Sequence, residues 1–316
     1  MGVRWLATGS YLPETRLTNE DWAQKVDTND QWIRKRTGIQ ERRWAQEETT
    51  SDLCIRAAKK ALEKADIDPK QIGIILVATM TPNFSSPALA TLVQDAIGAS
   101  GAYGFDISAA CSGFVFATNT LYHLLETSTL PYGLVIGGET MLSSVDWADR
   151  STAILFGDGA GALLVEKTQD NATKLLSYDL HSDGSRALAL VAGNRIDSNQ
   201  KMTMDGRGIF ELVVKEVPAS IKAACDSAGL ELEDVDLFIL HQANSRLIES
   251  VAKKLSIPLE KFPSNIATLG NTSAASIPLL LDQLIEEKKI ILGSGQTLVL
   301  SGFGGGLSWG SIVLTV

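Results

Sequence analysis

The sequence is poor in cysteine and histidine. Its 316 residues include three cysteines, scattered at positions 54, 111 and 225, and three histidines. An odd number of scattered cysteines does not form a disulfide framework, so we expect a reducing compartment, the cytoplasm. The cysteines and histidines nowhere lie at metal-ligand spacing, and we therefore expect no metal site.

Long apolar runs and an excess of positive charge are absent as well. No run approaches the roughly 18 apolar residues that span a membrane. The first residues, MGVRWLATGSYLP, lack the apolar region and cleavage site of a signal peptide. The net charge of −9 disfavours nonspecific binding to nucleic acid. We expect neither a membrane nor a nucleic-acid partner. The negative net charge does not exclude an acidic partner, because a local basic patch on the surface can still attract one.

What the sequence does contain is a long-period repeat. Residues 59–79 (KKALEKADIDPKQIGIILVAT) align without a gap on residues 222–242 (KAACDSAGLELEDVDLFILHQ), at an offset of 222 − 59 = 163. Residues 111–125 align on residues 274–288 at the same offset, helix on helix. Each copy of the first pair predicts an amphipathic helix, a polar turn and a buried strand.

The repeat predicts two similar α/β halves, residues 1–168 and 169–316. The predicted strands are continuous apolar runs, namely IGIILVAT, GLVIGG, VDLFIL and TLVLSG. Such runs are typical of strands buried on both faces of a sheet, with helices covering the sheets. Two such halves form alternating helix and sheet layers, with a cleft where their equivalent loops meet.

One cysteine lies where a predicted strand passes into a predicted helix. Cys111 is in the segment ISAACSGF, among small residues that leave room for a substrate. A helix N-terminus favours the thiolate and lowers the pKa of a cysteine, so Cys111 is a candidate nucleophile. A buried free cysteine without chemistry is the alternative, which this segment alone leaves open. Cys54 and Cys225, in apolar helix stripes, are predicted to be structural.

Two further polar residues fall on loops related to that of Cys111. His241 directly follows the predicted strand VDLFIL, at the sheet edge where α/β sites usually lie. Asn271, in GNTSAASIP, aligns on Ser108 in the repeat, three residues before Cys111. Alone, His241 is equally consistent with a structural histidine, and Asn271 with a helix cap. Together, the three residues predict one reactive site in the cleft.

Five segments extend this prediction to a known family. AACSGF, FGDGAGA, LHQAN, GNTSAASIP and SGFGGGLSWG occur here in the order and spacing of the β-ketoacyl-acyl carrier protein synthase III family, and the resemblance spans essentially the whole chain. These are the initiating condensing enzymes of bacterial fatty-acid synthesis. The resemblance implies an α/β, thiolase-like fold of two duplicated halves in α-β-α-β-α layers.

The resemblance also implies a reaction and its catalytic residues. An acyl-CoA primer, such as acetyl-CoA or a short branched acyl-CoA, would acylate Cys111. Malonyl-acyl carrier protein would then lose CO2 and attack the acyl-cysteine. His241 and Asn271 would stabilise the enolate, and the backbone N–H groups of Cys111 and Gly305 would form the oxyanion hole for acylation. The CoA thioesters are substrates, and no cofactor is implied.

Binding residues are implied in the same way. Trp32 and Arg150 would enclose the adenine of CoA, Thr28 would hydrogen-bond its edge, and Arg36 would pair with a phosphate. The resemblance assigns the lining of the pantetheine tunnel to Gly206, Phe210, Ala243 and Asn244.

A basic helix face and one loop bear on the protein partners. Arg246, Lys253 and Lys254 lie at positions i, i+7 and i+8 and share a helix face. With Gln242, they form the predicted site for an acidic acyl carrier protein, although a merely solvated face gives the same pattern. The resemblance implies a homodimer whose loop 81–90 closes the partner's acyl pocket. Some relatives have a bulky aromatic residue close to the position of Ser86, whereas the aromatic residue here is Phe84, two positions earlier. This pattern leaves the size of the acyl pocket open, and tolerance for primers longer than acetyl is the hypothesis that we carry forward.

Two other functions are compatible with parts of this pattern. A related enzyme of polyketide synthesis has the same Cys-His-Asn set but extends from malonyl-CoA. The basic helix face favours a carrier protein over free CoA as the malonyl donor. A noncatalytic acyl-binding protein on the same scaffold would lack one of the three site residues, and this chain has all three.

Overall fold

The computed structural model describes residues 2–169, 174–192 and 201–316. The strands are β1 (Gly2–Tyr11), β2 (Arg16–Thr18), β3 (Glu41–Arg43), β4 (Ile72–Ala78), β5 (Tyr103–Ile107), β6 (Tyr132–Thr140), β7 (Asp158–Thr168), β8 (Leu175–Ser182), β9 (Leu190–Val191), β10 (Thr203–Met204), β11 (Leu237–Leu240), β12 (Thr297–Gly304) and β13 (Ser308–Thr315). The helices are α1 (Asn19–Ala23), α2 (Asp30–Thr37), α3 (Thr50–Ala65), α4 (Leu89–Ile97), α5 (Gly113–Thr127), α6 (Gly206–Ala228), α7 (Ser245–Leu255), α8 (Ile266–Leu269) and α9 (Ser276–Glu286).

Two sheets have the same strand order. The first runs β1-β7-β6-β4-β5 and the second β8-β13-β12-β11. Four strands correspond: in each sheet a parallel pair (β4 with β6, β11 with β12) is followed by two antiparallel pairings. The first sheet has a fifth strand, β5, which pairs in parallel with β4. The first sheet uses strands before residue 169 and the second uses strands after it, whereas the division into two domains at that point stays a prediction.

Five layers result from the packing of helices on these sheets. Helices α5 and α9 lie between the sheets, where side chains such as Phe114, Leu121 and Leu281 share one buried core with both. Helices α3 and α4 cover the outer face of the first sheet, and α6 and α7 cover that of the second. The four apolar runs predicted as strands form β4, β6, β11 and β12, and β4 is buried throughout. The predicted α-β-α-β-α arrangement is confirmed.

Equivalent turns of the two halves meet between the sheets. A short 3-10 turn, Ala110–Ser112, precedes α5, and another, Ser273–Ala275, precedes α9. The offset is again 273 − 110 = 163, and the first residue of each turn has a positive φ, 45° at Ala110 and 51° at Ser273. The two turns are in contact. The internal repeat therefore carries Cys111 and Asn271 into the same region.

None of the helices within the described residues is long and apolar enough to cross a membrane.

Candidate active site

Cys111 is held in its turn by a close contact with strand β12. Its side chain is 5% exposed. A Cβ atom on Gly304 would lie 2.7 Å from the Cys111 backbone nitrogen, a distance that only glycine permits. On the following residue, Ser112 Oγ donates to the Ala109 carbonyl at 2.7 Å and lies 2.8 Å from Ser308 Oγ. The end of β12 thus packs directly behind the candidate nucleophile.

His241 follows β11 and is buried. Its Nδ1 lies 2.7 Å from Ser276 Oγ, and its ring meets Phe303 edge-on at 5.1 Å between centroids. The Ser276 hydroxyl oxygen also accepts the Gln242 backbone N–H, so its own hydrogen is free to donate to Nδ1. That assignment leaves the hydrogen of the neutral ring on Nε2. Burial lowers the pKa of His241 to about 3, against a smaller opposing effect of a hydrogen bond with the Ser273 backbone.

Asn271 is fixed from both sides of its peptide. Its N–H donates to the Leu155 carbonyl at 2.8 Å, and its own carbonyl accepts from Gly157 at 3.0 Å. The side-chain Oδ1 accepts the Ser273 backbone N–H at 2.9 Å, so the amide NH2 is the end available as a donor. Asn271 therefore also acts as a cap, because its side chain accepts a hydrogen bond from the backbone of Ser273 in the turn that follows.

One pocket of about 130 Å³ brings the three predicted catalytic residues together. Cys111, His241 and Asn271 line it. Four residues predicted for the pantetheine tunnel line it as well, namely Gly206, Phe210, Ala243 and Asn244. The sequence did not predict its remaining, mostly apolar lining, which is Leu155, Phe156, Leu190, Met204, Ile209, Leu247, Phe303 and Gly304. Such a lining excludes water and strengthens the few polar contacts inside.

The expectation of an ionised thiol is corrected by this burial. Burial raises the pKa of Cys111 to about 12, and a hydrogen bond from Ser273 opposes it only in part. Helix α5 begins at Gly113, so Cys111 lies in the 3-10 turn that precedes the helix and not in its first turn. Burial thus favours the uncharged form of both the Cys111 thiol and the His241 imidazole. Cys54 and Cys225 are buried free cysteines, as the structural interpretation requires.

The predicted adenine site gathers around one indole ring. Trp32 lies in α2, and the guanidinium carbons of Arg36 and Arg150 are 4.5 Å and 5.4 Å from the centre of its ring. The nearby Thr28 Oγ1 is buried without a hydrogen-bond partner, as suits a group that awaits a ligand. The contact of Arg36 with Trp32 was not predicted, because the family resemblance assigned this arginine to a phosphate of CoA.

Three of the four residues predicted for the carrier protein share a surface. Arg246, Lys253 and Lys254 are exposed on α7. Gln242 is corrected: it is fully buried, its Nε2 donates to the Leu240 carbonyl at 2.7 Å, and its Oε1 accepts from Ser264 at 2.6 Å. Both ends of its amide form hydrogen bonds inside the protein. Gln242 therefore holds the segment after β11 in place and is not available to a carrier protein.

A buried carboxylate behind the pocket was missed. Glu139 is completely buried near the end of β6 and accepts hydrogen bonds from the loop after β4 and from Ser273 Oγ, the latter at 3.0 Å. The one available signal was an acidic residue at the end of the apolar run GLVIGGE. No group of three or more metal-ligating side chains occurs in the described ranges.

Comparisons with known proteins agree with this geometry. The family models named 3-oxoacyl-[acyl-carrier-protein (ACP)] synthase III and its C terminal match residues 105–184 and 225–316. The chain is 45% identical to the beta-ketoacyl-[acyl-carrier-protein] synthase III of Streptococcus pneumoniae serotype 19F (strain G54) over 315 residues, 97% of each chain.

Solved structures with the same fold include another synthase III and a priming ketosynthase. The 3-oxoacyl-[acyl-carrier-protein] synthase III from Aquifex aeolicus VF5 matches with a TM-score of 0.95 and 42% identity over all of both chains. The priming beta-ketosynthase from the R1128 polyketide biosynthetic pathway matches with a TM-score of 0.92 and 33% identity, over 100% of this chain and 96% of that one. The five-layer fold is the thiolase-like fold that the resemblance implied.

Proposed function

Since the chain belongs to the 3-oxoacyl-[acyl-carrier-protein] synthase III family, a family of condensing acyltransferases, we propose that it condenses an acyl-CoA primer with malonyl-acyl carrier protein. The products are a 3-oxoacyl-acyl carrier protein, CO2 and CoA. The observation that carries this proposal is the single pocket that Cys111, His241 and Asn271 line together.

In the first step, the acyl group moves to Cys111. The Sγ atom attacks the thioester carbonyl, and CoA leaves as the acyl-cysteine forms. The thiol gives up its proton as it attacks, and the departing CoA sulfur takes up a proton and leaves as the free thiol, so the step balances. The backbone N–H groups of Cys111 and Gly305 are proposed to hold the oxyanion. Gly304, which lies against Cys111, permits the close approach that this geometry needs.

In the second step, malonyl-acyl carrier protein loses CO2 and its carbanion attacks the acyl-cysteine. Negative charge develops on the thioester oxygen as CO2 leaves. His241 Nε2–H and the Asn271 amide are proposed to donate to that oxygen. On the usual scale, one such donor accelerates the reaction by about 100- to 1,000-fold.

Substrate binding is proposed to use both clusters outside the pocket. Trp32, Arg36 and Arg150 would hold the nucleotide end of CoA, with the unpartnered Thr28 hydroxyl on the adenine edge. Lys253, Lys254 and Arg246 would attract an acidic carrier protein.

The homodimer and the cytoplasmic location remain proposals. Strand β5 is the edge of the first sheet, and its Tyr103 and Phe105 are exposed to 52% and 37%. An open edge with exposed aromatic residues supports pairing with a second copy. The buried free cysteines Cys54, Cys111 and Cys225 support a reducing compartment.

Intact mass after mixing with acyl-CoAs tests the function. An acyl adduct should form on the wild type and be absent from Cys111→Ser, and an adduct on that variant would refute the assignment. His241→Ala and Asn271→Ala should still acylate but convert malonyl-acyl carrier protein about 100-fold more slowly. If either variant condensed at the normal rate, the residue that it lacks would not stabilise the enolate.

Two comparisons of rate settle the substrates. Rates with acetyl-, isobutyryl- and hexanoyl-CoA test the tolerance for longer primers, which a strict acetyl preference would contradict. The polyketide alternative is kept because a priming ketosynthase has the same fold. Efficient condensation with malonyl-CoA, without a carrier protein, would favour that alternative.

A further inference from the structure

The turn that follows Asn271 has an unusual backbone conformation. Ser273, its first residue, is fully buried and has a φ of 51°, in the left-handed region that a non-glycine residue rarely adopts unless its surroundings hold it there. Two hydrogen bonds hold this residue. Its backbone N–H donates to Asn271 Oδ1 at 2.9 Å, and its Oγ donates to Glu139 Oε1 at 3.0 Å. Met80 Sδ, 3.3 Å from the same Oγ, is a much weaker acceptor than a carboxylate.

Glu139 is a fixed acceptor for this turn. It is completely buried near the end of β6, and the loop that follows β4 holds it from the side opposite to Ser273. Oε2 accepts from Thr79 Oγ1 at 3.2 Å and from the N–H and Oγ1 of Thr81 at 3.1 Å and 2.6 Å. The Met80 N–H is shared between the two carboxylate oxygens. A carboxylate with so many donors is held in one orientation.

The internal repeat shows that the fold does not require this pair. Ala110 opens the equivalent turn before Cys111, where it has a φ of 45° and no hydroxyl. The alignment of β6 on β12, at an offset of 303 − 139 = 164, sets Glu139 opposite Phe303. The carboxylate and the hydroxyl therefore belong to the turn that follows Asn271, and their equivalents at the turn of Cys111 are a phenylalanine and an alanine.

We propose that Glu139 is a positioning residue for Asn271, because through the Ser273 hydroxyl it holds the turn that orients the Asn271 amide in the pocket. The inference rests on the proposed function and deepens its second step. With Oδ1 held by the Ser273 N–H, the NH2 group of Asn271 is free to donate to the enolate oxygen. If the turn relaxes, the amide loses this orientation and the donor is misdirected. Glu139 and Ser273 act through Asn271, and neither is proposed to contact the enolate.

Single turnovers followed by intact mass separate the two half-reactions. Acylation is the appearance of the Cys111 adduct after mixing with acetyl-CoA. The second step is the loss of that adduct when the isolated acyl-enzyme is mixed with malonyl-acyl carrier protein. Only the second step uses the Asn271 donor, so a positioning role predicts a selective loss of that step.

Ser273→Ala removes the hydroxyl and keeps the backbone N–H that Asn271 accepts. Ala110 shows that alanine adopts this backbone conformation in the equivalent turn, so we expect the variant to fold. Its second step should be slowed by about tenfold, which is less than the roughly 100-fold loss expected when the donor itself is removed. Its acylation should stay close to the wild-type rate.

Glu139→Gln tests the same hydrogen bond from the other partner. The amide oxygen is expected at the position of Oε2, where most of the loop donors converge, so the NH2 group would face Ser273 Oγ. An acceptor is thereby replaced by a donor, and the second step should be slowed as in Ser273→Ala. The serine variant keeps the test decisive if Glu139→Gln does not fold.

Thr79→Val is the matched control. It removes one donor to the same carboxylate but leaves the bond between Ser273 and Glu139 in place. Both half-reactions should keep their wild-type rates. If this variant lost the second step as strongly as Ser273→Ala, the effect would belong to the buried carboxylate in general and the inference would be wrong.

A double-mutant cycle separates positioning from a general loss of structure. If Ser273 acts through Asn271, Ser273→Ala should slow the second step no further in an Asn271→Ala background. A further loss in that background, an equal loss of both half-reactions, or a second step unchanged in Ser273→Ala would overturn the inference. A wild-type protein that forms no Cys111 adduct, or whose adduct malonyl-acyl carrier protein does not consume, would instead refute the proposed function.

Discussion

Gly304 allows a direct test of how closely β12 must approach the nucleophile. A Cβ atom there would lie 2.7 Å from the Cys111 nitrogen and 2.9 Å from the Cys111 Cβ, where ordinary contacts begin at 3.4 Å. In Gly304→Ala, the strand or the cysteine turn must therefore move by about 3.4 − 2.7 = 0.7 Å. A misplacement approaching 1 Å slows a reaction by about 100-fold, and overpacking destabilises by about 1–3 kcal/mol. We expect a folded protein with acylation slowed by about that factor.

Single-turnover acylation and thermal unfolding, measured on the same samples, check this expectation. Gly184→Ala is the control, because its added Cβ would meet no atom within 4 Å and its φ is not in the left-handed region. That variant should acylate and unfold like the wild type. If Gly304→Ala also acylates at the wild-type rate, the contact between β12 and Cys111 does not set the geometry of the reaction.

Three other predictions concern the surface and the buried charge. Trp32→Ala removes the ring that two guanidinium groups contact and should raise the KM for acyl-CoA by about tenfold with little change in kcat, as steady-state kinetics would show. Lys253→Glu combined with Lys254→Glu should raise the KM for malonyl-acyl carrier protein but not that for acyl-CoA. The difference should shrink as salt is added. Glu139→Gln should become more stable relative to the wild type as pH rises. The raised pKa of Glu139 means that stability present below its unfolded pKa of 4.5 is lost as pH rises through about 7. The change is bounded by about 3 kcal/mol in thermal or denaturant unfolding.

The layers and the position of the site followed from the sequence because both depend on short-range patterns. The apolar run at Ile72–Ala78 is long enough to be a strand and too apolar to have an exposed face. The offset of 163 residues then related the turn of Cys111 to that of Asn271, and the structure has the two turns in contact. A repeat therefore supplied a long-range relation that a single motif does not contain.

Other features depend on packing between the halves and leave little trace in the sequence. The pKa of Cys111 follows from its burial by β12, which a helix-start argument does not include. Gln242 has the position of a surface residue beside His241, yet its amide is used by Leu240 and Ser264. In both cases, a residue outside the local motif contributes to the environment of the side chain: Gly304 in β12 for Cys111, and Ser264 for Gln242.

A site that is neutral at rest has a consequence for the second step. If His241 carried a positive charge, it would stabilise the malonyl carboxylate, the group that must be lost, as well as the enolate. Burial lowers the pKa of His241 and so favours the neutral ring, which in the proposed role would stabilise charge mainly through one directed N–H. Only interactions that are stronger in the transition state than in the bound substrate accelerate the reaction. If His241 and Asn271 donate to the thioester oxygen as proposed, uncharged donors there would favour the loss of CO2 over tight binding of the malonyl group.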